Sequence, residues 1–402
     1  MANTADIIVV GLGAMGSAAL YQAAKAGARV IGIDRFDPPH DRGSSHGDTR
    51  ITREAIGEGR EFVPLVQRSN QIWEELEAAT GRNLLTRSGA LILARQSISG
   101  DHHGSSSFVQ DTISTAKEFG IAHEVLDAGE IHRRYPQFKL DGDELGYFEP
   151  GAGFLRPEAC VDTQLGMARQ LGARILPSEA VLAITEKSEA VEVRSERNTY
   201  SAARVIVTAG PWIHKLLGSR YERYFSIYRQ VLCWFALAKN RERYSPERFP
   251  VFIWIVGNRP RDMLYGFPAV DGPTGGLKVA TEQYEATVDP DAVTRTVTEA
   301  EVTAMYSEYI ATRFPDLSGK CLRAVTCLYT VTTDAKFIID QFGGCENVVF
   351  ASPCSGHGFK HSAAIGEALA SWALRQPSRV DLSAFRLDRF ANRNGKAFTV
   401  GS

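Results

Sequence analysis

Three glycines near the start of the chain are spaced to hold a phosphate group. Gly11, Gly13 and Gly16 form a G-x-G-x-x-G pattern between an apolar run at residues 7–10 and an alanine-rich stretch that favours a helix. The first glycine of such a pattern allows a tight turn, the second lets backbone approach a pyrophosphate, and the third lets the helix pack on the strand. Helix N–H groups then face the phosphates. The pattern predicts an adenine dinucleotide site that includes the first helical residues, Ala14 and Met15.

An acidic residue closes the second apolar run of this segment. Residues 29–33 are typical of a buried strand, and Asp34 and Arg35 follow it. A carboxylate at this place accepts from a ribose hydroxyl and suits an adenosine ribose without a 2′-phosphate. The complete strand–helix–strand unit favours this interpretation over the alternative, a glycine-rich turn in an ordinary α/β domain. The pattern does not separate FAD from NAD.

An arginine-rich loop follows the predicted ribose site. A Pro-Pro pair at its start excludes regular structure, and small or polar residues follow, among them Ser45 and His46. Arg50 and Arg53 are spaced to share one face of a helix beginning just before them. Both guanidinium groups would then face one anion, either a flavin or a substrate carboxylate. The alternative is a solvated basic loop.

Two later segments have the character of strand-to-helix junctions around a nucleotide. An apolar strand ends in the small residues Ala209 and Gly210, which would let backbone approach the dinucleotide, although a simple turn explains them equally. We expect this strand to rejoin the sheet formed by residues 5–36. A glycine-rich loop at residues 352–360 precedes a helix of small residues, whose N-terminus would face a negative charge. Its candidate cofactor contacts are Ser355, Gly356, His357, Gly358 and Lys360.

Residues 221–319 have a different texture from the rest of the chain. They are rich in aromatic residues and contain alternating apolar runs, which predicts an antiparallel sheet and an apolar substrate chamber. Lys278 lies in one of these strands, where a lysine is usually an edge residue that reaches solvent. Cys327 lies in another apolar strand, where a cysteine is usually a small buried residue.

Composition excludes several classes of protein. The chain has 402 residues and a net charge of −2, so it has no general attraction to nucleic acid or to an anionic membrane. No apolar run is long enough to span a bilayer, and the early fingerprint leaves no room for a signal peptide, so we expect a cytoplasmic location. The cysteine and histidine spacings predict neither disulfides nor a metal site. His102 and His103, in a polar loop, are expected to be solvated.

Five motifs occur in an order that resembles a known enzyme family. They are GLGAMGSAA, SSHGDTRITR, YGFP with GGLKVA, TCLYTVTTDAKFIID and SGHGFKHS. Together they resemble the monomeric sarcosine oxidase and N-methyltryptophan oxidase family, flavin amine oxidases of the glycine oxidase-like superfamily. We therefore expect an α/β (α+β two-domain) fold. A discontinuous Rossmann-type FAD-binding domain would comprise residues 1–85, 150–220 and 320–402. A discontinuous antiparallel-sheet substrate domain would comprise residues 86–149 and 221–319.

The resemblance also implies roles for individual residues. Cys327 matches the cysteine that carries the FAD covalently, and Lys278 matches a lysine that lies over the flavin and activates oxygen. Arg53 and Lys360 match the two cations that hold the substrate carboxylate. Three more residues match positions beside the flavin ring or around the pocket: Arg50, Tyr265 and Tyr329.

The implied reaction is oxidation of a secondary amino acid, N-alkyl or cyclic, by molecular oxygen, with an imine and hydrogen peroxide as products. The family usually has a histidine four residues after the oxygen-activating lysine, and this chain has Glu282. A carboxylate there would disfavour acidic substrates, favour a second positive charge or a hydroxyl, and raise the pKa of Lys278. We therefore expect a substrate bulkier or more polar than sarcosine, and a monomer or weak homodimer. Alternatives are a flavin dehydrogenase with another acceptor, an NAD-linked dehydrogenase and a non-catalytic flavoprotein.

Overall fold

The strands of the chain form two large sheets and one small one. The computed structural model describes residues 3–98, 102 and 107–390. Within these residues the strands β1 to β19 span, in order, Thr4–Val10, Val30–Ile33, Arg50–Thr52, Leu85–Thr86, Ala90–Arg95, Glu124–Asp127, Glu144–Glu149, Gly153–Leu155, Arg174–Leu176, Val181–Glu186, Val191–Ser195, Thr199–Val207, Phe225–Leu237, Val251–Ile255, Met263–Gly266, Leu277–Thr281, Leu317–Thr332, Ile338–Gln341 and Val348–Ser352.

The helices cover the first sheet and the edges of the second. In the same described ranges, α1 to α9 span Ala14–Lys25, Val63–Thr80, Phe108–Glu118, Ala128–Arg134, Pro157–Gln170, Ile213–Leu217, Ser219–Glu222, Glu299–Met305 and Ser362–Ala373. None of these helices is long and apolar enough to cross a membrane.

The first sheet has a parallel centre whose strands all end at one edge. Its order is β10-β11-β12-β1-β2-β9, and β19 continues it beside the second half of β12, with β18 antiparallel to β19. The strand before Ala209 does rejoin the sheet, because β12 pairs parallel to β1 with Val205 opposite Ile8. The carboxyl ends of β1, β2, β12 and β19 therefore meet, and ligands of α/β sheets bind at such an edge.

Small residues bring two helices close to this edge. A Cβ atom added at Gly16 in α1 would lie 1.8 Å from the carbonyl oxygen of Gly11, and one added at Gly366 in α9 would lie 2.3 Å from the Cβ of Ala18. Only residues without a side chain fit these contacts, so α1 packs directly on its own preceding turn and on α9. Both helices consequently begin at the edge where the parallel strands end.

The second sheet is almost entirely antiparallel, as its alternating sequence predicts. Its order is β17-β13-β16-β15-β14-β5-β7-β6, and only the β14–β5 pair within it is parallel. The long strand β17 pairs with β13 along its whole length. Although sequence analysis placed residues after 320 in the nucleotide-binding domain, β17 belongs to the second sheet as far as Thr332.

Two sequence-based expectations are wrong, and so is the edge position that the strand of Lys278 favours when it is taken alone. Arg50 does not begin a helix, because residues 50–52 form β3, which pairs with β8. Lys278 is not an edge residue: β16 lies between β13 and β15, and the lysine is 2% exposed. His102 is buried, and its Nε2 donates to the carbonyl oxygen of Gly257 at 3.1 Å. His103 lies outside the described residues.

Candidate active site

A cavity of about 490 Å³ extends from the carboxyl edge of the first sheet to the face of the second. This volume is typical of a small-molecule or cofactor site. Most residues that the sequence singled out line it. They are Gly11, Gly13, Ala14, Met15, Asp34, Arg35, Ser45, Arg50, Arg53, Ala209, Gly210, Tyr265, Glu282, Tyr329, Gly356, His357, Gly358 and Lys360.

The end of the cavity nearest the first sheet is built mainly from backbone. Gly11 has a φ of 87°, and a Cβ atom there would lie 2.5 Å from the carbonyl oxygen of Thr208, so the turn requires glycine. The two oxygens of the Asp34 carboxylate accept from the backbone N–H groups of Leu12, at 2.6 Å, and Phe36, at 2.8 Å. These bonds fix the carboxylate at the cavity wall, with further lone pairs that can accept from a sugar hydroxyl.

This end fits an adenine dinucleotide. The first-turn N–H groups of α1 have no acceptor within the helix, and the N–H of Ala14 donates to Ser45 Oγ at 3.1 Å. Across the cavity, the Ser352 hydroxyl at the end of β19 is buried and has no hydrogen-bond partner. Helix dipole, fixed carboxylate and an unsatisfied hydroxyl together suit the phosphates and hydroxyls of FAD.

An acidic segment that no sequence motif indicated contacts the cavity wall at this end. The Asp291 carboxylate accepts from Arg35 Nη1 at 2.5 Å and from Trp212 Nε1 at 2.8 Å. Lys215 Nζ donates to Asp289 at 2.6 Å and to Asp291 at 2.5 Å. Arg35, Trp212 and Lys215 all line the cavity. Because the two aspartates lie in an irregular stretch far along the chain, only the folded structure reveals this contact.

Arg50 and Cys327 lie side by side, where the loop before β3 packs against β17. The Arg50 guanidinium donates to the carbonyl oxygen of Ser44 at 2.7 Å, to that of Thr49 at 2.8 Å, and to Cys327 Sγ at 3.5 Å. Cys327 is buried directly behind this arginine and does not line the cavity. Burial raises the pKa of the Cys327 thiol, and the Arg50 charge acts in the opposite direction.

Lys278 lies behind the loop that leads into β3 and Arg50. Its Nζ donates to the carbonyl oxygens of Gly47, at 2.6 Å, and Thr49, at 2.9 Å, and lies 3.1 Å from Thr49 Oγ1. The ring of Phe267 lies 4.5 Å from the same nitrogen. An ammonium can donate to all three oxygens, and a neutral amine can donate to the carbonyls and accept from the hydroxyl. The lysine is therefore held in place in either protonation state.

The expected effect of Glu282 on Lys278 is wrong. The pKa of Lys278 lies well below its usual value, because burial disfavours the charged amine and the Arg50 guanidinium repels it. Asp48 is the main carboxylate that acts in the opposite direction. Glu282 instead acts on Lys360, at the far side of the pocket, where it favours the ammonium form.

The substrate end of the cavity contains a buried pair that the sequence did not predict. Arg53 Nη2 lies 2.5 Å from Glu58 Oε2, and the two side chains are 1% and 5% exposed. The Nε atom of Arg53 is buried without a hydrogen-bond partner. Lys360 Nζ donates to the carbonyl oxygen of His357 at 2.8 Å. Burial lowers the pKa of Lys360 to about 8, and Glu58 is the main group that counteracts this effect.

Phenol groups and one carboxylate complete this end. The hydroxyls of Tyr265 and Tyr329 lie 3.1 Å apart, and both rings face the cavity. Glu282 is 6% exposed, and its Oε2 accepts from the hydroxyl of Tyr284 at 2.8 Å. Two cations, Arg53 and Lys360, and two carboxylates, Glu58 and Glu282, thus lie at this end beside aromatic and aliphatic side chains, which suits a zwitterion or an amino acid with a polar group.

Five of the singled-out residues stand behind the wall instead of lining the cavity: Gly16, His46, Lys278, Cys327 and Ser355. Burial lowers the pKa of His46 to about 3, so this ring is neutral. The Ser355 hydroxyl accepts from the N–H of Thr332 at 3.3 Å and ties the glycine-rich loop to the end of β17. In the part of the chain that the structure describes, no three His, Cys, Asp or Glu side chains are grouped to hold a metal.

Comparison with known proteins agrees with this architecture. Residues 6–372 match the family model described as FAD dependent oxidoreductase. The monomeric sarcosine oxidase of Streptomyces avermitilis is 37% identical over 392 residues, which are 97% of this chain and 99% of that protein. The N-methyl-L-tryptophan oxidase of Yersinia pestis is 36% identical over 388 residues, 96% of this chain and 99% of that protein.

Solved structures show the same fold at lower sequence identity. The amino acid oxidase NikD of nikkomycin biosynthesis superposes with a TM-score of 0.81 at 22% identity, covering 95% of this chain and 97% of that one. The L-proline dehydrogenase of P. horikoshii gives a TM-score of 0.81 at 18% identity, covering 97% and 99%. The chain therefore belongs to the FAD dependent oxidoreductase family, and within it to the group of monomeric sarcosine oxidases and N-methyl-L-tryptophan oxidases.

Proposed function

We propose that this protein oxidises secondary amino acids with molecular oxygen, using FAD covalently attached through Cys327, and releases an imine and hydrogen peroxide. The observation that carries the proposal is a single cavity whose two ends differ in chemistry. One end has the backbone and the fixed carboxylate of Asp34 for a dinucleotide, and the other has the buried cations Arg53 and Lys360 for a carboxylate. A substrate whose carboxylate is held by these cations would present its reacting carbon towards the dinucleotide end.

Arg53 and Lys360 have the role of orienting the substrate. FAD, when bound, supplies an acceptor for the hydride equivalent that leaves the carbon next to the amine nitrogen. The planar Arg53 fork and the Lys360 point charge would fix the carboxylate at two places, so that this carbon–hydrogen bond faces one direction. Arg53 is already paired with Glu58 through Nη2, and its Nε has no hydrogen-bond partner, so Nε is left to donate to the substrate carboxylate.

Cys327 and Lys278 have roles at the flavin side of the wall. Cys327 Sγ lies 3.8 Å from the carbonyl oxygen of Ser44, a residue that lines the cavity, and 3.5 Å from Arg50. A thioether at this sulfur would anchor the isoalloxazine ring beside Arg50. The Lys278 amine, held beside the same loop, would stabilise the negative charge that develops on oxygen as it is reduced in a site with little water.

Glu282 is the group that would set the substrate apart from sarcosine. A buried carboxylate in the pocket repels a second acidic group and attracts a cation or a hydroxyl on the substrate. The hydroxyl of Tyr284 donates to Oε2 of this carboxylate at 2.8 Å and fixes its orientation in the pocket wall. We therefore propose an N-alkyl or cyclic amino acid that is larger or more polar than sarcosine. A cytoplasmic location is consistent with six free cysteines.

A substrate screen coupled to peroxide detection tests the proposal. We expect peroxide from several N-alkyl or cyclic amino acids, with sarcosine slower than the best larger substrate. A Glu282→Gln variant, which keeps the shape of the side chain, should reduce the preference for substrates with a second cation. Sarcosine turned over as fast as any larger amino acid would contradict the role of Glu282.

The covalent link is tested separately on the acid-precipitated polypeptide. Wild-type protein should remain yellow after precipitation, and a Cys327→Ala variant should release its flavin. The matched control is Cys160→Ala, a buried cysteine away from the cavity, which should keep the bound colour. Flavin that stays attached to the Cys327→Ala polypeptide would refute the link.

Reduction of the flavin by substrate without release of peroxide would indicate an electron acceptor other than oxygen.

A further inference from the structure

Two cysteines lie on neighbouring strands at the outer end of the second sheet. Cys233 is in β13 and Cys321 is in β17, and both are free thiols. Cys321 is directly opposite Phe235, which is two residues from Cys233 on the same strand. Residues two apart on a strand share a face, so both thiols lie on one face of the sheet. The register makes the two residues diagonal neighbours across the β13–β17 pair, and each thiol shifts the pKa of the other.

A bulge in β17 distinguishes this pair from ordinary cross-strand neighbours. The register of β17 against β13 shifts between Arg323, opposite Trp234, and Cys321, opposite Phe235, so Leu322 is left over as a bulge. A bulge brings a diagonal neighbour closer and bends the strand locally. Both side chains contact the same apolar core, with Cys233 fully buried and Cys321 partly exposed at its edge.

The two thiols differ in access and in acidity. Leu322, next to Cys321, is 42% exposed, so a small solute reaches this edge of the sheet, whereas Cys233 is covered. The hydrogen bond from Cys233 lowers the pKa of the Cys321 thiol to about 6 and raises that of Cys233. Burial raises the pKa of the Cys321 thiol and acts against the larger effect of Cys233, whereas backbone contacts with Arg323 and Trp234 lower this pKa further.

We propose that Cys233 and Cys321 are a peroxide-responsive thiol pair that closes to a disulfide. The Cys321 thiolate attacks one oxygen of hydrogen peroxide, which breaks the O–O bond and gives a sulfenic acid and hydroxide. The Cys233 thiol then attacks that sulfur, the S–S bond forms, and the sulfenic oxygen leaves as water. In total, two thiols are oxidised and one peroxide is reduced to two waters. The peroxide is the product of the proposed oxidase reaction, and the inference rests on that function for its natural source.

The position of the pair connects it to the catalytic wall. Arg323, two residues after Cys321, donates to Asp48 at 2.7 Å and lies over the ring of Trp234, 4.5 Å from its centre. Asp48 lies between Gly47 and Thr49, whose carbonyl oxygens hold Lys278. A disulfide would fix the bulged end of β17 against β13 beside this loop. The cross-link would therefore form close to the site where the proposed reaction releases peroxide.

The holoenzyme can be tested in two arms. In the first arm, reduced protein receives hydrogen peroxide directly, and in the second it turns over its substrate with and without catalase. Alkylation followed by peptide mass analysis should find two fewer free thiols and a linked peptide containing Cys233 and Cys321, two hydrogens lighter than the separate peptides. Catalase should abolish the link in the second arm.

Variants separate the roles of the two thiols. A Cys233→Ser variant should stop at a sulfenic acid on Cys321 that a dimedone-type reagent captures, and a Cys321→Ser variant should leave Cys233 unmodified. Cys345→Ser, at a partly exposed cysteine elsewhere in the chain, is the matched control and should form the link normally. Direct peroxide that leaves both thiols free, or that carries Cys321 to a sulfinic acid without the link, would overturn the proposal. A link formed with added peroxide but never during turnover would retain the thiol pair and count against peroxide production.

Discussion

The two ends of the cavity are built in different ways. At the nucleotide end, the turn after β1, the first turn of α1 and Asp34 come from one short stretch of chain and act largely through backbone groups. At the substrate end, Arg53, Glu58, Glu282 and Lys360 come from distant segments and act through charged side chains. The difference teaches that a backbone site leaves a readable spacing in the sequence, whereas a side-chain site leaves scattered residues.

The largest expected effect concerns the nucleotide end. A Gly16→Ala variant should fail to fold stably or should lose its flavin, because its Cβ would lie 1.8 Å from the carbonyl oxygen of Gly11 and backbone must move to relieve the contact. We expect a loss of about 3 kcal/mol or more in the free energy of unfolding. Urea unfolding and flavin content measure it.

A second helix of the same layer provides the control for that variant. Gly166 in α5 has no atom within 4 Å of an added Cβ, so Gly166→Ala should keep the flavin and gain up to about 1 kcal/mol of stability from the better helix former. Equal behaviour of the two variants would mean that close packing of α1 is not what makes the nucleotide end depend on glycine.

An effect of intermediate size is expected at Lys278, in the cavity wall between the two ends. A Lys278→Met variant keeps a similar shape but removes the amine that Gly47 and Thr49 hold. Reoxidation of the reduced enzyme by oxygen should slow by about 10²- to 10³-fold, as for the loss of one well-placed donor to a developing anion. Anaerobic reduction by substrate should stay close to the wild-type rate. Stopped-flow absorbance follows both half-reactions.

Lys239→Met, at an exposed lysine just after the end of β13, is the matched control and should alter neither half-reaction. If the Lys278→Met enzyme is reduced slowly by substrate but reoxidised at the wild-type rate, the lysine acts at the substrate end. The distinction between the substrate end and the wall beside the flavin would then be wrong.

The sequence predicted the elements better than it predicted the substrate site. The fingerprint, Asp34 and the return of β12 to the sheet were all visible, because short-range patterns determine them. The helix expected at Arg50 and Arg53 was wrong because pairing of β3 with β8, about a hundred residues away, overrides local spacing. The strand of Lys278 taken alone favoured an edge position, which is wrong because the order of strands in a sheet is not determined by the sequence of one strand.

Resemblance to a family supplied what local pattern could not, and it also had limits. It pointed to Arg53 and Lys360, which the structure does bring to one end of the cavity. It did not find Glu58, whose pairing with Arg53 depends on how the loop after β3 folds back. It drew attention to Glu282, but the charge that Glu282 affects is Lys360 instead of Lys278, because only the folded structure decides which cation is nearer.

The smallest expected effect is a change of pH dependence at the substrate end. Lys360 has a pKa of about 8, so it is an ammonium below this pH and a neutral amine above it. A small aliphatic carboxylate inhibitor stays ionised throughout this range and reports the charge of the site alone. Its dissociation constant should therefore rise as pH increases through about 8, approaching tenfold per pH unit if the lysine charge is essential.

Glu58 determines where that rise begins. Since Glu58 is the main group that raises the pKa of Lys360, a Glu58→Gln variant should move the rise to lower pH. Below the new pKa, the same variant should bind the inhibitor more tightly than wild type, because Arg53 is released from its partner. Lys360→Met should abolish the pH-dependent rise of the dissociation constant. An unchanged pH profile in Glu58→Gln would show that Glu58 does not raise the pKa of Lys360. At the nucleotide end, the ion pair of Lys215 with Asp291 does not titrate near pH 8, because the pKa of Asp291 is lowered to about 2 and that of Lys215 is raised. Flavin content should therefore stay constant over the same pH range, and its measurement checks that contrast.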